Sequence, residues 1–184
     1  QVPLPSGLGV EGAGEVEAVG TGVDLPVGAR VALTLALGAY AEAIVIPATS
    51  LIHLPDSIGF EQAAAILLKG MTVDYLFNDT FPLKGGETVL FHAAAGGVGL
   101  IACQWAHHIS VNLIGTASTD EKCALAESHG AKKCVLSGLE NLAETLKALA
   151  PDGGFRVVYD SVGKDTYQLG LEVLAPLGTF ASFG

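Results

Sequence analysis

The sequence predicts an α/β protein: a parallel sheet covered by helices and preceded by part of an all-β module. Three observations predict it. Apolar strands alternate with helices from Glu87 onward. Short strand-like runs punctuated by Gly and Pro fill the region from Gly9 to about Ile46. A Gly-rich turn, Ala94 to Gly99, joins the first apolar strand to the helix after it.

In the β-type region, Glu15-Val16-Glu17-Ala18-Val19 alternates as a half-buried strand does, Gly20, Gly22, Pro26 and Gly28 mark turns, and Arg30-Val31-Ala32-Leu33 follows as the next strand. Pro55 and then Ser57, ahead of Glu61-Gln62-Ala63-Ala64-Ala65, predict a helix start, and Ala, Leu and Met carry the helix on towards Phe77. The character of the chain changes here, and we divide it into modules 1–66 and 67–184.

In the second module the apolar runs predict five strands, 88–93, 111–116, 133–136, 156–160 and 179–183. A helix over 97–108 places Val98, Ile101, Ala102 and Trp105 on one stripe, expected to lie against the sheet. The next helix starts at Ser118, with Glu121 completing a capping box, and stops at Gly130. A third carries Leu139, Leu142, Ala143, Leu146 and Leu149 on one face and ends before Pro151, and a fourth covers about 166–174. A complete doubly wound sheet has about six strands. With a start at Gln1 rather than Met and an end on an apolar strand pattern, the sequence reads as cut at both ends.

Composition narrows the function. With 9 basic against 19 acidic residues, the net charge of −10 works against binding nucleic acid or anionic lipid, which depends on clustered Lys and Arg. Cys103, Cys123 and Cys134 form no CxxC pair and sit in apolar or amphipathic segments, as thiols in a reducing compartment do. The longest apolar run, around Ala63 to Leu68, is far shorter than the roughly 20 residues of a membrane span. These features predict a cytoplasmic protein without a membrane partner.

The turn Ala94-Ala95-Gly96-Gly97-Val98-Gly99 follows an apolar strand and opens a helix, which is the setting a dinucleotide fingerprint requires. A Gly-rich turn by itself is only a tight connection; the strand on the far side of the helix completes the βαβ unit. An absent side chain at Gly96 lets a pyrophosphate reach the backbone, Gly99 lets the helix pack on the strand, and the helix N-terminus offers amide donors and partial positive charge. NAD-selective sheets carry an acid about 20 positions on, whereas Gly115-Thr116-Ala117-Ser118 stands there. Small hydroxyls with Lys122 nearby suit a 2′-phosphate, so the residues favour NADP(H). The plain alternative for Lys122 is a solvated helix residue.

The run Gly86-Glu87, Leu90, Ala94-Ala95-Gly96-Gly97, Gly99 and Gln104 resembles the signature of the quinone oxidoreductases, the zeta-crystallin branch of the medium-chain dehydrogenase/reductase superfamily. Gly12-Ala13-Gly14, Val19-Gly20, Gly28-Ala29-Arg30-Val31, Gly38-Ala39-Tyr40, Leu68-Lys69-Gly70-Met71-Thr72 and Asp160-Ser161-Val162-Gly163 extend the resemblance along nearly the whole chain. Ala29, His107, Ser110 and Ser137 depart from it, the last where close relatives often have a Tyr on the 2′-phosphate.

The resemblance implies a Rossmann-type NADP(H)-binding sheet, five of its six strands present, behind a partial GroES-like domain. It further implies direct hydride transfer from nicotinamide C4 to a small-molecule quinone, and a homodimer when full length. The cofactor residues it points to, with the turn, are Lys69, Thr72, Ala95, Gly96, Gly97, Val98, Gly99, Gly115, Thr116, Ser118, Lys122, Ser161, Val162 and Phe183. Lys69 and Thr72 are implied at the domain junction, Ser161 and Val162 at the fourth strand end, and Phe183 at the nicotinamide end. No catalytic residue is assigned. Val10 stands where zinc-dependent relatives have a ligating His, and no four-cysteine cluster is present, so no metal is expected. The alternatives are an enoyl or alkenal reductase of the same superfamily and a non-catalytic, crystallin-like binding protein.

Overall fold

Three antiparallel strands form the first sheet: β1 (Glu11–Glu15), β2 (Arg30–Thr34) and β3 (Leu51–His53), in that order. The computed structural model describes residues 4–151 and 153–184, so Gln1, Val2 and Pro3, which begin the expected 1–66 module, lie outside it. Register runs from Glu11 opposite Thr34 to Glu15 opposite Arg30. The alternating run expected as a strand, 15–19, therefore begins where β1 ends. Pairing continues for one more residue, Val16 N–H to Ala29 O at 3.0 Å, and then the partner turns away: Ala29 N–H bonds Pro26 O and Gly28 takes φ 83°. Without a partner, alternation makes no strand.

Arg30 fixes the approach to the first helix, α1 (Phe60–Tyr75). Its guanidinium donates to Pro55 O (2.8 Å) and Ile58 O (2.6 Å) and stacks 4.6 Å from the Phe60 ring centroid. The turn that Arg30 holds occupies 55–58, which moves the helix start from the expected Ser57 to Phe60. A π-helical turn, Leu76–Thr80, follows α1. The chain divides into two units, Gln1–Met71 and Thr72–Gly184.

The second unit is a parallel sheet ordered β6-β5-β4-β7-β8, built from β4 (Thr88–Phe91), β5 (Asn112–Ala117), β6 (Lys133–Leu136), β7 (Phe155–Asp160) and β8 (Leu174–Ser182). Connecting helices are α2 (Gly97–His108), α3 (Asp120–Ser128), α4 (Leu142–Leu149) and α5 (Tyr167–Glu172). Alternate strand residues feed two cores. Val89, Phe91, Leu113, Cys134, Val157 and Tyr159 join one with α2, and Leu90, Ile114, Val135 and Val158 join the other with Leu142 and Leu146 of α4. Near-continuous apolar strands are what a sheet covered on both faces requires.

Several expectations are corrected. The face of α2 buried on the sheet is Gly99, Ala102, Cys103 and Ala106, with Val98, Ile101 and Trp105 only partly buried at its margin. Small residues win because a Cβ at Gly99 would sit 2.5 Å from Ala94 O; the helix crosses too close for large side chains. The cap of α3 is Thr119, not Ser118: its extended backbone (φ −143°, ψ 160°) lets Oγ1 accept from Lys122 N–H at 3.3 Å. Leu139 precedes α4 rather than lying on it. β8 begins at Leu174, five residues early, because Phe155 pairs with Leu174 across a register shift that accommodates Leu177 at φ 61°.

Candidate functional site

All five strands run parallel, so the segments that leave β4, β5, β7 and β8 gather at one edge of the sheet. The order also reverses there. The chain moves outward from β4 to β5 and β6, then returns to β7 on the other side of β4, and ligands bind at such a switch point. The turn 94–99, Ser118, Ser161-Val162 and Phe183 all lie at this edge.

The turn is held by its neighbours. His92 N–H donates to Tyr159 O (3.0 Å), Ala94 N–H to Thr116 O (2.9 Å) and Gly96 N–H to Ala93 O (2.9 Å), while Ala93 adopts φ 54°. Gly96 is the N-cap of α2 with no side-chain cap bond and no acid in the first turn. The first helical bond runs from Leu100 N–H to Gly96 O, so the amides of Gly97, Val98 and Gly99 precede the ladder. Gly96 and Gly97 are exposed, Ala95 and Val98 half-buried, and Gly99 buried. A Cβ at Gly96 would already lie 3.1 Å from Ala93 O. The arrangement suits an anion approaching the backbone along the helix axis.

At the next strand end, Lys122 Nζ donates to Ser118 Oγ at 3.1 Å, both side chains exposed. The Glu121 carboxyl is held below its ordinary range by the amide at its own position and the Thr119 hydroxyl, which draws it onto the helix N-terminus. Thr116 differs from the sequence expectation: it is 2% exposed and its hydroxyl is engaged inside the protein, 2.9 Å from His92 Nδ1. Ser118 is the hydroxyl at the surface. Gly115 is glycine for packing, since a Cβ there would meet the Ala94 Cβ at 2.5 Å.

On the other side of the switch point, Asp160 is 1% exposed. Its Oδ1 accepts from the amides of Val162 (2.8 Å) and Gly163 (3.1 Å), and Thr166 Oγ1 donates to the same carboxylate at 2.8 Å. Ser161 and Val162 are thereby presented outward. Phe183 packs on Phe91 at a centroid distance of 5.7 Å, and its amide bonds Asp160 O. Within the first unit, Lys69 is ion-paired with Glu11, whose other oxygen accepts from Leu68 N–H. Thr72, half-buried, opens the second unit.

Sequence reasoning passed over His92 and Asp160 as site-building residues. The signal was a His and an Asp ending apolar strands, where polar side chains are out of place. Among the described residues, no group of three or more His, Cys, Asp or Glu side chains is placed to hold a metal ion, and Val10 is 41% exposed. Among the same residues, no helix is long and apolar enough to cross a membrane. A 690 Å³ groove along edge strand β6, lined by Cys123, Cys134, Leu136 and Leu149, contains none of the expected cofactor residues.

Known proteins match this architecture. The alcohol dehydrogenase GroES-like domain family matches residues 1–56 and the zinc-binding dehydrogenase family residues 97–184. A quinone oxidoreductase of Pseudomonas aeruginosa is 56% identical over 183 residues, covering 98% of this chain and 56% of that protein. The crystal structure of Escherichia coli quinone oxidoreductase complexed with NADPH is 49% identical with a TM-score of 0.95, over 98% of this chain and 56% of that one. A 2-haloacrylate reductase of a Burkholderia species is 42% identical over 98% of this chain and 55% of that protein. The chain thus spans about half the length of the curated relatives it matches. By these matches it is similar to quinone oxidoreductases over nearly its whole length.

Proposed function

We propose that the protein is an NADPH-dependent, zinc-independent quinone reductase. The observation that carries this reading is the pairing of an uncapped helix N-terminus, exposed at Gly96 and Gly97, with the Lys122–Ser118 contact at the adjacent strand end. One accepts a pyrophosphate through backbone amides. The other supplies a cation and a hydroxyl where NAD-selective sheets carry a carboxylate. The E. coli relative solved with NADPH supports the same choice.

NADPH, when bound, supplies the hydride from nicotinamide C4, and the protein supplies position and electrostatics. Ala95 to Gly99 hold the pyrophosphate; Gly115 keeps the turn close to β5; Ser118 and Lys122 hold the 2′-phosphate. Ser161 and Val162, fixed by Asp160, and Phe183, backed by Phe91, shape the nicotinamide end. By resemblance, Lys69 and Thr72 complete the cofactor set. The substrate is a small-molecule quinone. The acidic charge of −10 supports action without nucleic acid or anionic membrane partners, the unpaired thiols support a reducing, cytoplasmic setting, and the resemblance supports a homodimer.

A second reading, reduction of an activated C=C bond, is favoured by the 42% identical relative named 2-haloacrylate reductase. NADPH oxidation measured in parallel on a benzoquinone and on an α,β-unsaturated carbonyl separates the two, and activity on the latter alone overturns ours. Replacing Lys122 by Ala should weaken NADPH about tenfold more than NADH, as loss of a charge-assisted contact implies; equal losses count against the 2′-phosphate assignment. Absence of NADPH binding by calorimetry would leave the non-catalytic alternative.

A further inference from the structure

The buried polar residues of the described chain are His92, Thr116 and Asp160, and they lie within one residue of the carboxyl ends of three neighbouring strands, β4, β5 and β7. His92 lies between the other two. Its Nδ1 is 2.9 Å from Thr116 Oγ1, its Nε2 has no hydrogen-bond partner, and its side chain is fully buried. Asp160 faces the ring electrostatically but spends its own oxygens on Val162, Gly163 and Thr166. A fully buried imidazole with an unpartnered nitrogen costs free energy that an apolar side chain would not. Packing alone does not explain a histidine here, and departures of this kind concentrate at functional sites.

What the histidine joins is informative. The phosphate turn begins two residues after His92, and Ser118, with Lys122 on it, comes two residues after Thr116. The same two segments meet again where Ala94 N–H bonds Thr116 O and where Gly115 leaves no room for a Cβ beside Ala94. We propose that His92 is a positioning residue for coenzyme choice: through Thr116 it sets the separation between the pyrophosphate cradle at Gly96 to Gly99 and the 2′-phosphate corner at Ser118 and Lys122. NADPH must engage both places at once. NADH engages only the first, so a change in separation weakens NADPH selectively. This inference rests on the NADPH reading above.

The test is a fluorescence titration of NADPH and of NADH on the full-length protein, comparing wild type with Thr116→Val and His92→Gln, which break the contact. Thr116→Ser and His92→Asn, which keep a polar atom in place, serve as the conservative pair. The breaking variants should lower the NADPH-over-NADH preference about fivefold, the size of one neutral hydrogen bond, and the conservative pair should keep it. Equal weakening of both coenzymes, an unchanged preference, or loss of the fold in both breaking variants by circular dichroism overturns the inference. A wild type with no preference for NADPH overturns the reading beneath it instead.

Discussion

Gly99 has less freedom than any other residue of the phosphate turn: a Cβ would meet the carbonyl oxygens of Ala94 and Ala93 at 2.5 and 2.6 Å, and neither is a side chain that could swing away. Gly99→Ala should therefore lift α2 off β4, costing roughly 2–3 kcal/mol in urea unfolding together with NADPH binding. Lys122→Ala, by contrast, should leave the unfolding midpoint in place. His92 gives a pH signature. Burial, partly opposed by Asp160, holds its pKa below the ordinary 6.5, so it stays neutral in the fold while the unfolded chain takes up a proton as pH drops. The folded state then loses stability from pH 6.5 downward, by at most about 1.4 kcal/mol per pH unit, until the folded pKa is reached. Urea midpoints at neutral and mildly acidic pH should converge in His92→Asn relative to wild type; identical pH dependence in the two would refute this.

Among elements, α3 shows how a cap serves both folding and the site. Because Thr119 accepts from Lys122 N–H, Ser118 is released from capping and is free to meet Lys122 Nζ. Thr119→Ala should cost about 1 kcal/mol and loosen the 2′-phosphate corner, seen as a higher NADPH KM with kcat unchanged. The contrast with α2 explains the division of labour. One helix is capped by the Thr119 side chain, whereas the other starts from glycine and leaves its first amides for a ligand. Where sequence reasoning erred at this scale, a competing contact was the cause. Arg30 holding the carbonyls of Pro55 and Ile58 delays α1, and the turn at Pro26 to Ala29 stops the strand expected through Val19.

Across the whole molecule, the core that the sheet shares with α2 buries all three cysteines, Cys103 completely and Cys123 and Cys134 at the floor of the groove beside β6. Burial pushes the Cys103 thiol up to about 12 and raises Cys134 as well, so both remain protonated and unreactive in the fold. A chromogenic disulfide reagent should modify Cys103 only as fast as urea opens the sheet, and fast labelling of Cys103 in native protein would contradict that. The alternation of apolar strands and helices, the phosphate turn between β4 and α2 and the lack of an acid at the end of β5 were legible in the residues, because each rests on local periodicity or spacing. Strand order, the small-residue face of α2 and the enclosure of Thr116 by His92 were not, because they depend on which residues meet across the sheet. The sequence by itself thus determined a dinucleotide-type βαβ architecture with a turn suited to phosphate. Only the tertiary structure decided that Ser118 rather than Thr116 faces solvent beside Lys122, since burial is a property of neighbours and not of the residue.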